Sequence, residues 1–384
     1  MKIVLISNYK PDAQQSMLRY PEMLRRVLAE RGYVVRVVHP PAVLGRRLRK
    51  TYKGAAKWIA YIDKYLLAYP WLRWRCRGAE LVHICDHSNA MYVPAVAHVT
   101  HVITCHDLLA IRSAMGHFAE NPVGITGRIF QRLIARGLRQ ARAILCVSAK
   151  TRDDLHEFLH IPGSRLHIVP NALNWPYRPL CRQASEPLLR AVGVAPEEPY
   201  FFHLGANHWY KNRGAAITIF AELRKLRKYA GARLVMAGGA MIPELRSIAQ
   251  ENGVLEAIVE CVGVDNQQLQ ALYSCAIATL FPSLEEGFGW PILESQACGC
   301  PVVIANRAPM NEIAGGAAIL IDLSDAVNAA RKIADSLEDP TRLRRHGLRN
   351  AASYTTERML DQCEQLYHEL MQISLAHAFT GASQ

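Results

Sequence analysis

No uninterrupted apolar segment in this 384-residue sequence approaches the ~20 residues needed to span a bilayer. The apolar run in the opening MKIVLISNYK is too short for a signal-peptide core and predicts a buried first strand. The ten cysteines include no CxxC pair, so the usual signature of a zinc or dithiol site is missing. No Asp-x-Asp motif occurs to hold a divalent cation. We therefore expect a cytoplasmic globular protein with reduced thiols and no bound metal.

Acidic residues are scarce in the first half of the chain. Residues 1–190 hold 29 Lys and Arg against 12 Asp and Glu, whereas the remainder holds 16 and 21. The excess concentrates in residues 45–78, the basic-aromatic segment, where ten basic residues alternate with Trp and Tyr and Asp63 is the only acid. A solvated helix face, an anionic membrane contact and a nucleic-acid surface all stay open. Interleaved aromatics favour the membrane, on its inner face, and no nucleic-acid-binding motif accompanies the segment.

Short runs rich in Val and Ile alternate with longer amphipathic stretches along the chain. Twelve runs predict strands: KIVLIS, VVRVVH, LVHICD, HVITCHD, AILCVS, LHIVPN, YFFHLG, RLVMAGG, IVECVG, IATLFPS, PVVIAN and AAILID. Such runs, separated by helical patterns, are typical of repeated β-α-β units and parallel sheets. After Leu323 the patterns are helical only. The sequence therefore predicts an α/β protein with two doubly wound halves.

A proline-rich stretch separates the two sets of strands. Residues 174–199 contain five prolines and no strand pattern, so we place the domain boundary there. The predicted domains are residues 1–175 and 199–354, joined by a linker at 176–198. Residues 355–384 are expected to form a C-terminal helix and tail that packs back on the first domain. Two such domains facing one another would form a cleft, which is a usual place for a ligand.

The stretch LEEGFGWPILESQACG contains the most direct chemical signal. It follows a predicted strand, and Pro291 suits the first turn of a helix. Gly287 and Gly289 let the backbone approach an anion at that helix N-terminus. Glu286 and Glu294 stand on either side, and a carboxylate accepts hydrogen bonds from paired sugar hydroxyls. A ligand with phosphate between two groups that carry hydroxyls, a ribose and a hexose, is a nucleotide sugar. On local chemistry alone, Glu294 could instead only complement the helix dipole and Glu286 be solvated.

These residues resemble a known family. FPSLEEGFGWPILESQACGCPVV is similar to the signature of the retaining family 4 glycosyltransferases, whose two glutamates, here Glu286 and Glu294, are separated by seven residues. LGANHWYKNR resembles the family's first loop of the second domain, with Lys211 in the place of its phosphate-binding lysine. TCHDL is similar to the segment that brings a histidine, here His106, to the donor sugar. VSAKTRDDLHEFLHIPGSRLHIVPNALN and NRAPMNEIAGGAAILID also match. The resemblance implies the GT-B fold, two Rossmann-like domains facing a cleft.

The resemblance also implies an activity. It indicates a retaining transferase that moves a hexose from a nucleotide sugar, GDP-mannose or a UDP-hexose, to a glycan or lipid-linked saccharide in cell-surface polysaccharide or lipopolysaccharide assembly. His106 and Glu286 would contact the transferred sugar, and Lys211 the leaving diphosphate. A front-face reaction needs no enzyme nucleophile, and no cofactor is expected. The implied donor-binding residues are Ser283, Gly287, Phe288, Gly289, Asn212, Arg213 and Glu294, with Glu294 on the ribose and the backbone around Phe288 and Gly289 on the diphosphate.

Two departures from the family pattern limit the transfer of roles. The family often has an arginine near Lys211, at the position that aligns with Ala206, so Arg213 or another base would have to supply the second positive charge. The first loop, SNYKPDAQQSMLRY, lacks the glycine pair common there. Because that loop usually meets acceptor and diphosphate, the acceptor cannot be inferred from the resemblance.

Other functional classes stay open at this point. A glycoside hydrolase needs its two carboxylates opposite one another across the scissile bond, which suits acids at a phosphate-binding helix end poorly. A nicotinamide-dependent dehydrogenase needs a G-x-G-x-x-G after the first strand, where SNYKPD stands. A non-catalytic, membrane-peripheral nucleotide-sugar or glycan-binding protein, and a phosphorylase or epimerase, share the expected fold.

Overall fold

The computed structural model describes residues 1–12, 15–47 and 54–381. Its strands are β1 Lys2–Ile6, β2 Val34–Val38, β3 Leu81–Ile84, β4 Thr100–Cys105, β5 Ala143–Cys146, β6 Leu166–Ile168, β7 Tyr200–Gly205, β8 Arg233–Gly238, β9 Ile258–Val262, β10 Thr279–Phe281, β11 Val302–Ala305 and β12 Ile319–Ile321. Eleven of them lie within predicted runs, and β4 begins one residue before its run, at Thr100, so the twelve predicted strands are confirmed.

Helices connect the strands. They are α1 Gln15–Glu30, α2 Gly54–Tyr61, α3 Ala68–Arg75, α4 Val93–Val96, α5 Leu109–Met115, α6 Ile125–Gln140, α7 Ala149–Leu159, α8 Arg182–Ala191, α9 Arg213–Lys225, α10 Pro243–Glu251, α11 Asn266–Cys275, α12 Trp290–Ala297, α13 Met310–Ile313, α14 Ala326–Ser336, α15 Thr341–Ala351 and α16 Thr356–Gly381. A π-helical turn, Ile62–Leu67, links α2 to α3. None of the described helices has the length and apolar character that a bilayer crossing requires.

The chain forms two units, residues 1–170 with 357–384, and residues 171–356. The N-terminal unit contains one parallel sheet in the order β2-β1-β3-β4-β5-β6. Every residue of β3, β4 and β5 is buried, because helices cover both faces of the sheet. The strand order reverses between β1 and β3, and ligands of open α/β sheets bind outside the carboxyl ends of strands at such a point.

The C-terminal unit contains a second parallel sheet in the order β12-β11-β10-β7-β8-β9. Counted from its own first strand, β7, this is the doubly wound order of a Rossmann fold. The switch point therefore lies between β7 and β10. The segments that follow these two strands are the two motifs that the sequence analysis selected, LGANHWYKNR and FPSLEEGFG.

The predicted linker at 176–198 is part of the C-terminal unit, which begins at Asn171. It contains α8, and Leu189 and Val194 are buried in the core of that unit. The amide of Leu180 donates to the Ser274 hydroxyl at 3.1 Å, which ties the segment to α11. Its prolines indicated a break, but three leucines and two valines give the segment an apolar side that packs into the core of that unit.

Residues 357–384 belong to the N-terminal unit. Arg31 forms ion pairs with Asp361 and Glu364 of α16 at 2.7 and 2.5 Å. In the core, the Tyr367 hydroxyl lies 2.6 Å from the His83 Nδ1 atom on β3. The last helix thus returns to the unit that begins with β1.

Candidate functional site

Two loops meet at the switch point of the C-terminal unit. The amide of Leu284 donates to the carbonyl of Tyr210 at 2.7 Å, and the Asn212 side-chain amide donates to the carbonyl of Pro282 at 3.2 Å. Asn212 has a left-handed backbone, φ 48° and ψ 46°, which asparagine tolerates better than most residues. Its predicted role in donor binding stays a prediction, since the contact that the structure shows joins the two loops.

Lys211 and Glu286 lie on these loops and form an ion pair. The Lys211 ammonium donates to Glu286 Oε1 at 2.7 Å, and the two side chains are 17% and 9% exposed. The ammonium also lies 5.3 Å from the centre of the Phe281 ring. From the sequence we expected the two residues to contact different parts of one ligand. The structure instead places the two side chains in direct contact, as a cation and an anion that a bound ligand could separate.

The loop ends at Gly289, whose φ of 99° is a conformation that residues with a side chain rarely adopt. Helix α12 begins at Trp290, one residue before the predicted start, with Pro291 in its first turn. No side chain among the described residues caps this helix, so its start and its dipole suit an anion. Phe288 is buried, and its ring lies 5.9 Å from that of Trp290, which holds the loop against the helix start.

Glu294 is the fifth residue of α12 and is 4% exposed. Its carboxylate accepts hydrogen bonds from the Tyr273 hydroxyl at 2.8 Å and from the Asn174 side-chain amide at 3.1 Å. Burial raises the pKa of Glu294, against the lowering effect of these two donors. Because a carboxylate has about four acceptor sites, the remaining two could serve the predicted ribose contact. The interpretation as a residue that only complements the helix dipole does not account for this burial.

The Ser283 hydroxyl and Nε2 of His203 are buried and have no partner within the described residues. His203 Nδ1 lies 2.8 Å from the carbonyl of Leu280, and burial lowers the pKa of His203 to about 4, so the ring is neutral and Nε2 is an acceptor. Ser283 was predicted to bind the donor, whereas His203 was missed. Its signal was a histidine within an otherwise apolar strand, YFFHLG.

The second positive charge near Lys211 is not where the family pattern puts it. Ala206 is exposed and uncharged. Arg213 is buried at the start of α9, and its Nη1 atom donates to the carbonyl of Gly239 at 2.7 Å and to the side chain of Asn207. Its Nε and Nη2 atoms have no partner in the part of the chain that the structure describes. Arg213 therefore ties the loop after β7 to the residue that follows β8, and its predicted donor contact stays a prediction.

His106 follows β4 in the N-terminal unit. The ring is buried, its Nε2 lies 3.1 Å from the carbonyl of Cys85, and its centre lies 5.3 Å from that of Tyr20. Burial lowers the pKa of His106, so the ring is neutral. Since Nε2 donates to a carbonyl, Nδ1 is the acceptor of the neutral ring.

A polar network that the sequence analysis missed lies at the switch point of the N-terminal unit. Asn8, two residues beyond β1, donates to the carboxylate of Asp86, two residues beyond β3, at 2.5 Å, and accepts from Asn89 at 2.8 Å. Burial raises the pKa of Asp86, but the nearby His87 and His106 and the hydrogen bond from Asn8 lower it overall. The available signal was a polar residue directly after each apolar run. The network forms only because β1 and β3 are neighbours in the sheet, and the apolar runs of the sequence do not show the order of the strands.

A cavity of about 600 Å³ adjoins this network. Asn8 and Asn89 line it together with the rings of Tyr9, Tyr61, Tyr65, Tyr92 and Phe130. The Tyr65 and Phe130 rings stack with centres 4.5 Å apart. The hydroxyl of Tyr9, which lines the cavity, donates to the buried Asp63 at 2.7 Å, and the amide of Gly45 donates to the same carboxylate at 2.8 Å. The cavity thus combines aromatic faces with amide hydrogen-bonding groups.

Comparison with known proteins adds the family. Residues 18–174 match the family model Glycosyltransferase Family 4, and residues 185–354 match Glycosyl transferases group 1. The chain belongs to the group 1 glycosyltransferases of family 4. The family resemblance seen in the sequence is therefore confirmed.

Two solved structures share the GT-B fold of this glycosyltransferase family. Sucrose-phosphate synthase from Thermosynechococcus elongatus has a TM-score of 0.75 at 18% identity, with 97% of this chain and 100% of that one covered. HepE from Anabaena, in complex with UDP and glucose, has a TM-score of 0.70 at 14% identity, with 96% and 99% covered. At such identities the likeness shows the fold alone, and the predicted fold is confirmed.

A curated relative of this chain is O-antigen chain mannosyltransferase B of Escherichia coli. The two chains are 27% identical over 215 residues, which are 55% of this chain and 56% of the relative. The chain thus spans a little over half the length of the first curated relatives that it matches.

Proposed function

We propose that this glycosyltransferase is a retaining hexosyltransferase that moves a sugar from a nucleoside-diphosphate donor to a glycan or lipid-linked saccharide in cell-surface polysaccharide or lipopolysaccharide assembly. The observation that supports this most directly is the ion pair of Lys211 and Glu286 beside the uncapped start of α12. A cation and the uncapped start of a helix suit the diphosphate of such a donor, and a carboxylate at the same switch point suits the hydroxyls of its sugar.

The proposed chemistry is departure of a nucleoside diphosphate from the anomeric carbon. Negative charge that develops on the leaving diphosphate is stabilised by the Lys211 ammonium and by the first amides of α12, which are already in place before the reaction. Glu286 accepts hydrogen bonds from hydroxyls of the transferred sugar, and Glu294 from the ribose. In the front-face reaction the acceptor hydroxyl attacks from the side that the diphosphate leaves, and His106 contributes a neutral polar contact to the sugar. We propose that these charges act without a metal ion.

The donor is tested by offering UDP-, GDP- and ADP-sugars to the whole chain. We expect one nucleotide class to raise the melting temperature and to release nucleoside diphosphate, without dependence on divalent cations, so that EDTA leaves the rate unchanged. GDP-mannose and UDP-hexoses are the first candidates, because a relative is named an O-antigen mannosyltransferase and a solved structure of the same fold contains UDP and glucose. The stabilisation follows from binding to the folded state alone.

Three results would contradict this proposal. Stabilisation by a donor with no release of nucleotide would indicate a non-catalytic binding protein. Dependence on inorganic phosphate as the acceptor would indicate a phosphorylase. A product of inverted anomeric configuration would exclude the retaining mechanism.

We further propose that the aromatic cavity of the N-terminal unit holds the saccharide part of the acceptor. Sugar rings have apolar faces that stack on aromatic side chains, and their hydroxyls bond to amides such as those of Asn8 and Asn89. A volume of about 600 Å³ is in the usual range for a ligand site. The position at a strand-order reversal supports the same assignment.

Tyr65→Ala is expected to raise the acceptor KM about tenfold, since part of one aromatic contact area is lost, while donor hydrolysis stays unchanged. Initial rates over a range of acceptor concentrations measure this effect. Tyr69→Ala is the matched control, because Tyr69 lies one turn further along the same helical segment, is exposed and does not line the cavity. Equal acceptor KM values for the two variants would contradict the assignment of the cavity.

We propose that the protein is peripheral on the cytoplasmic face of the membrane, in contact with anionic lipid through the basic-aromatic segment. Within that segment Trp58, Trp71 and Trp74 are exposed, which suits an interfacial contact. Residues 48–53, with three of its basic side chains, lie outside the described residues. Asp63, its only acid, is buried against Tyr9 and adds no charge to the surface.

A further inference from the structure

Helix α6 exposes an apolar stripe. Ile125, Ile129 and Leu133, spaced four residues apart, are 78%, 48% and 43% exposed, whereas Ile134 and Leu138 on the inner side are buried in the core. An exposed apolar residue by itself is ordinary, but three in line on one helix form a patch. The helix thus has a second apolar side in addition to the one that packs on the sheet.

Arginines run beside this stripe. Arg128, Arg132 and Arg136 are exposed and each follows one of the three apolar residues by three positions, so they lie next to it on the helix surface. The sequence of α6, ITGRIFQRLIARGLRQ, contains four arginines and no acid. None of these arginines forms an ion pair with an acid within residues 1–12, 15–47 and 54–381. The acid nearest in the preceding loop is Glu120.

The neighbouring helical segment repeats the pattern. Trp58, Ile62 and Leu66, again four residues apart, are 60%, 42% and 68% exposed. The two segments adjoin, because the rings of Tyr61 and Tyr65 contact Phe130 of α6 at centre distances of 4.4 and 4.5 Å. The inner sides of both segments line the aromatic cavity, and their outer sides are apolar. We call the outer residues 125, 128, 129, 132, 133 and 136 the α6 face.

We propose that the α6 face is a membrane-docking surface that inserts its aliphatic side chains into the headgroup region of an anionic bilayer and pairs its arginines with lipid phosphates. It lies outside the basic-aromatic segment and contains only residues to which no role has yet been given. It deepens the proposed function, because the wall of the acceptor cavity would then rest on the lipid surface in which a lipid-linked acceptor is anchored.

The composition of the face argues for lipid over other partners. A second copy docked through the same face by two-fold symmetry would place its arginines opposite those of the first. Nucleic-acid surfaces combine arginine with stacking aromatics or base-reading polar groups, and three exposed aliphatic side chains add nothing to that contact. An apolar stripe beside a cationic stripe is the pattern of a helix that lies in the membrane interface.

Co-sedimentation of the full chain with vesicles tests the proposal. We expect binding to phosphatidylcholine vesicles that contain phosphatidylglycerol and much weaker binding to pure phosphatidylcholine, with affinity falling as salt rises. The triple variant Arg128→Gln, Arg132→Gln, Arg136→Gln is expected to lose about 100-fold in affinity at low salt, since each basic residue near an anionic surface contributes about fivefold.

A triple variant of α15 is the matched control. Arg342→Gln, Arg345→Gln and Arg349→Gln remove the same charge from another exposed helix of the chain and are expected to change binding less than about threefold, through net charge alone. Ile125→Ser with Ile129→Ser tests the apolar stripe separately and is expected to weaken the binding that persists at high salt.

Several results would overturn the proposal. They are no binding of the wild-type chain to anionic vesicles, equal losses in the α6 and α15 variants, or a dimer that the α6 variant abolishes. The rate of transfer to a soluble saccharide acceptor distinguishes the docking proposal from the proposed transferase function. The α6 arginine variant should keep the wild-type rate with that acceptor, because no membrane is involved. A chain that binds vesicles through α6 but uses no nucleotide sugar would retain the docking surface and refute the transferase function.

Discussion

Replacing Glu286 with alanine is expected to lower the rate of sugar transfer by about 10²–10³-fold, the range found when one preorganised contact to a transition state is removed. The carboxylate is fixed by Lys211 at 2.7 Å and is mostly buried, so its position is set before the donor binds. The hydroxyls of the transferred sugar would form their strongest hydrogen bonds to the Glu286 carboxylate in the transition state, when the sugar gains positive charge. The loss should therefore appear in kcat, measured from nucleotide release at saturating donor.

Glu285→Ala is the matched control, because it removes the same charge one residue earlier in the same loop. The melting temperature of each variant shows whether the fold is intact. Lys211 is partly exposed and can be solvated when its partner is removed, so only a small loss of stability is expected. A Glu286 variant with rates near those of the wild type would exclude contact with the reacting sugar.

The strands were predictable from sequence because both sheets are parallel. Strands such as β4, buried along their whole length, appear as continuous apolar runs, and helices between them leave a clear gap in the pattern. The start of α12 was predicted within one residue, since proline is favoured at the first turn of a helix. These are local properties of the chain, which a sequence shows directly.

The domain boundary was harder to predict because packing decides it. Pro187 lies inside α8 and still permits a helix, since the apolar side of α8 packs on α11 of the C-terminal unit. A proline reports only on the backbone around it, whereas the boundary depends on which core the neighbouring leucines enter. The sequence alone therefore suggested a linker where the structure has a packed helix.

The candidate site required the order of the strands. Lys211 and Glu286 are 75 positions apart, and they meet because β7 lies beside β10. The family resemblance predicted that both residues bind the donor, but only the strand order shows that they form an ion pair. The network of Asn8 and Asp86 depends in the same way on β1 lying beside β3, and no resemblance pointed to it.

Lys211→Met is expected to lower kcat/KM for the donor by about 10³-fold, because the cation that neutralises the leaving diphosphate is removed while an aliphatic chain of similar length keeps the packing. Affinity for the free nucleoside diphosphate should fall as well, since the product has the same diphosphate group. Steady-state kinetics with a range of donor concentrations and product inhibition measure both effects. Lys225→Met, which changes an exposed lysine of α9 in the same unit, should leave both constants unchanged.

The double variant of Lys211 and Glu286 shows whether the pair acts as a unit. Removing Lys211 alone leaves the mostly buried Glu286 carboxylate without its cation beside an anionic diphosphate, so the single variant includes a repulsion that the double variant lacks. The effects on kcat/KM should therefore be far from additive, and Lys211→Met with Glu286→Gln should be no less active than Lys211→Met alone. Independent, additive losses would mean that the two residues act on the donor at separate points and that their contact is only structural.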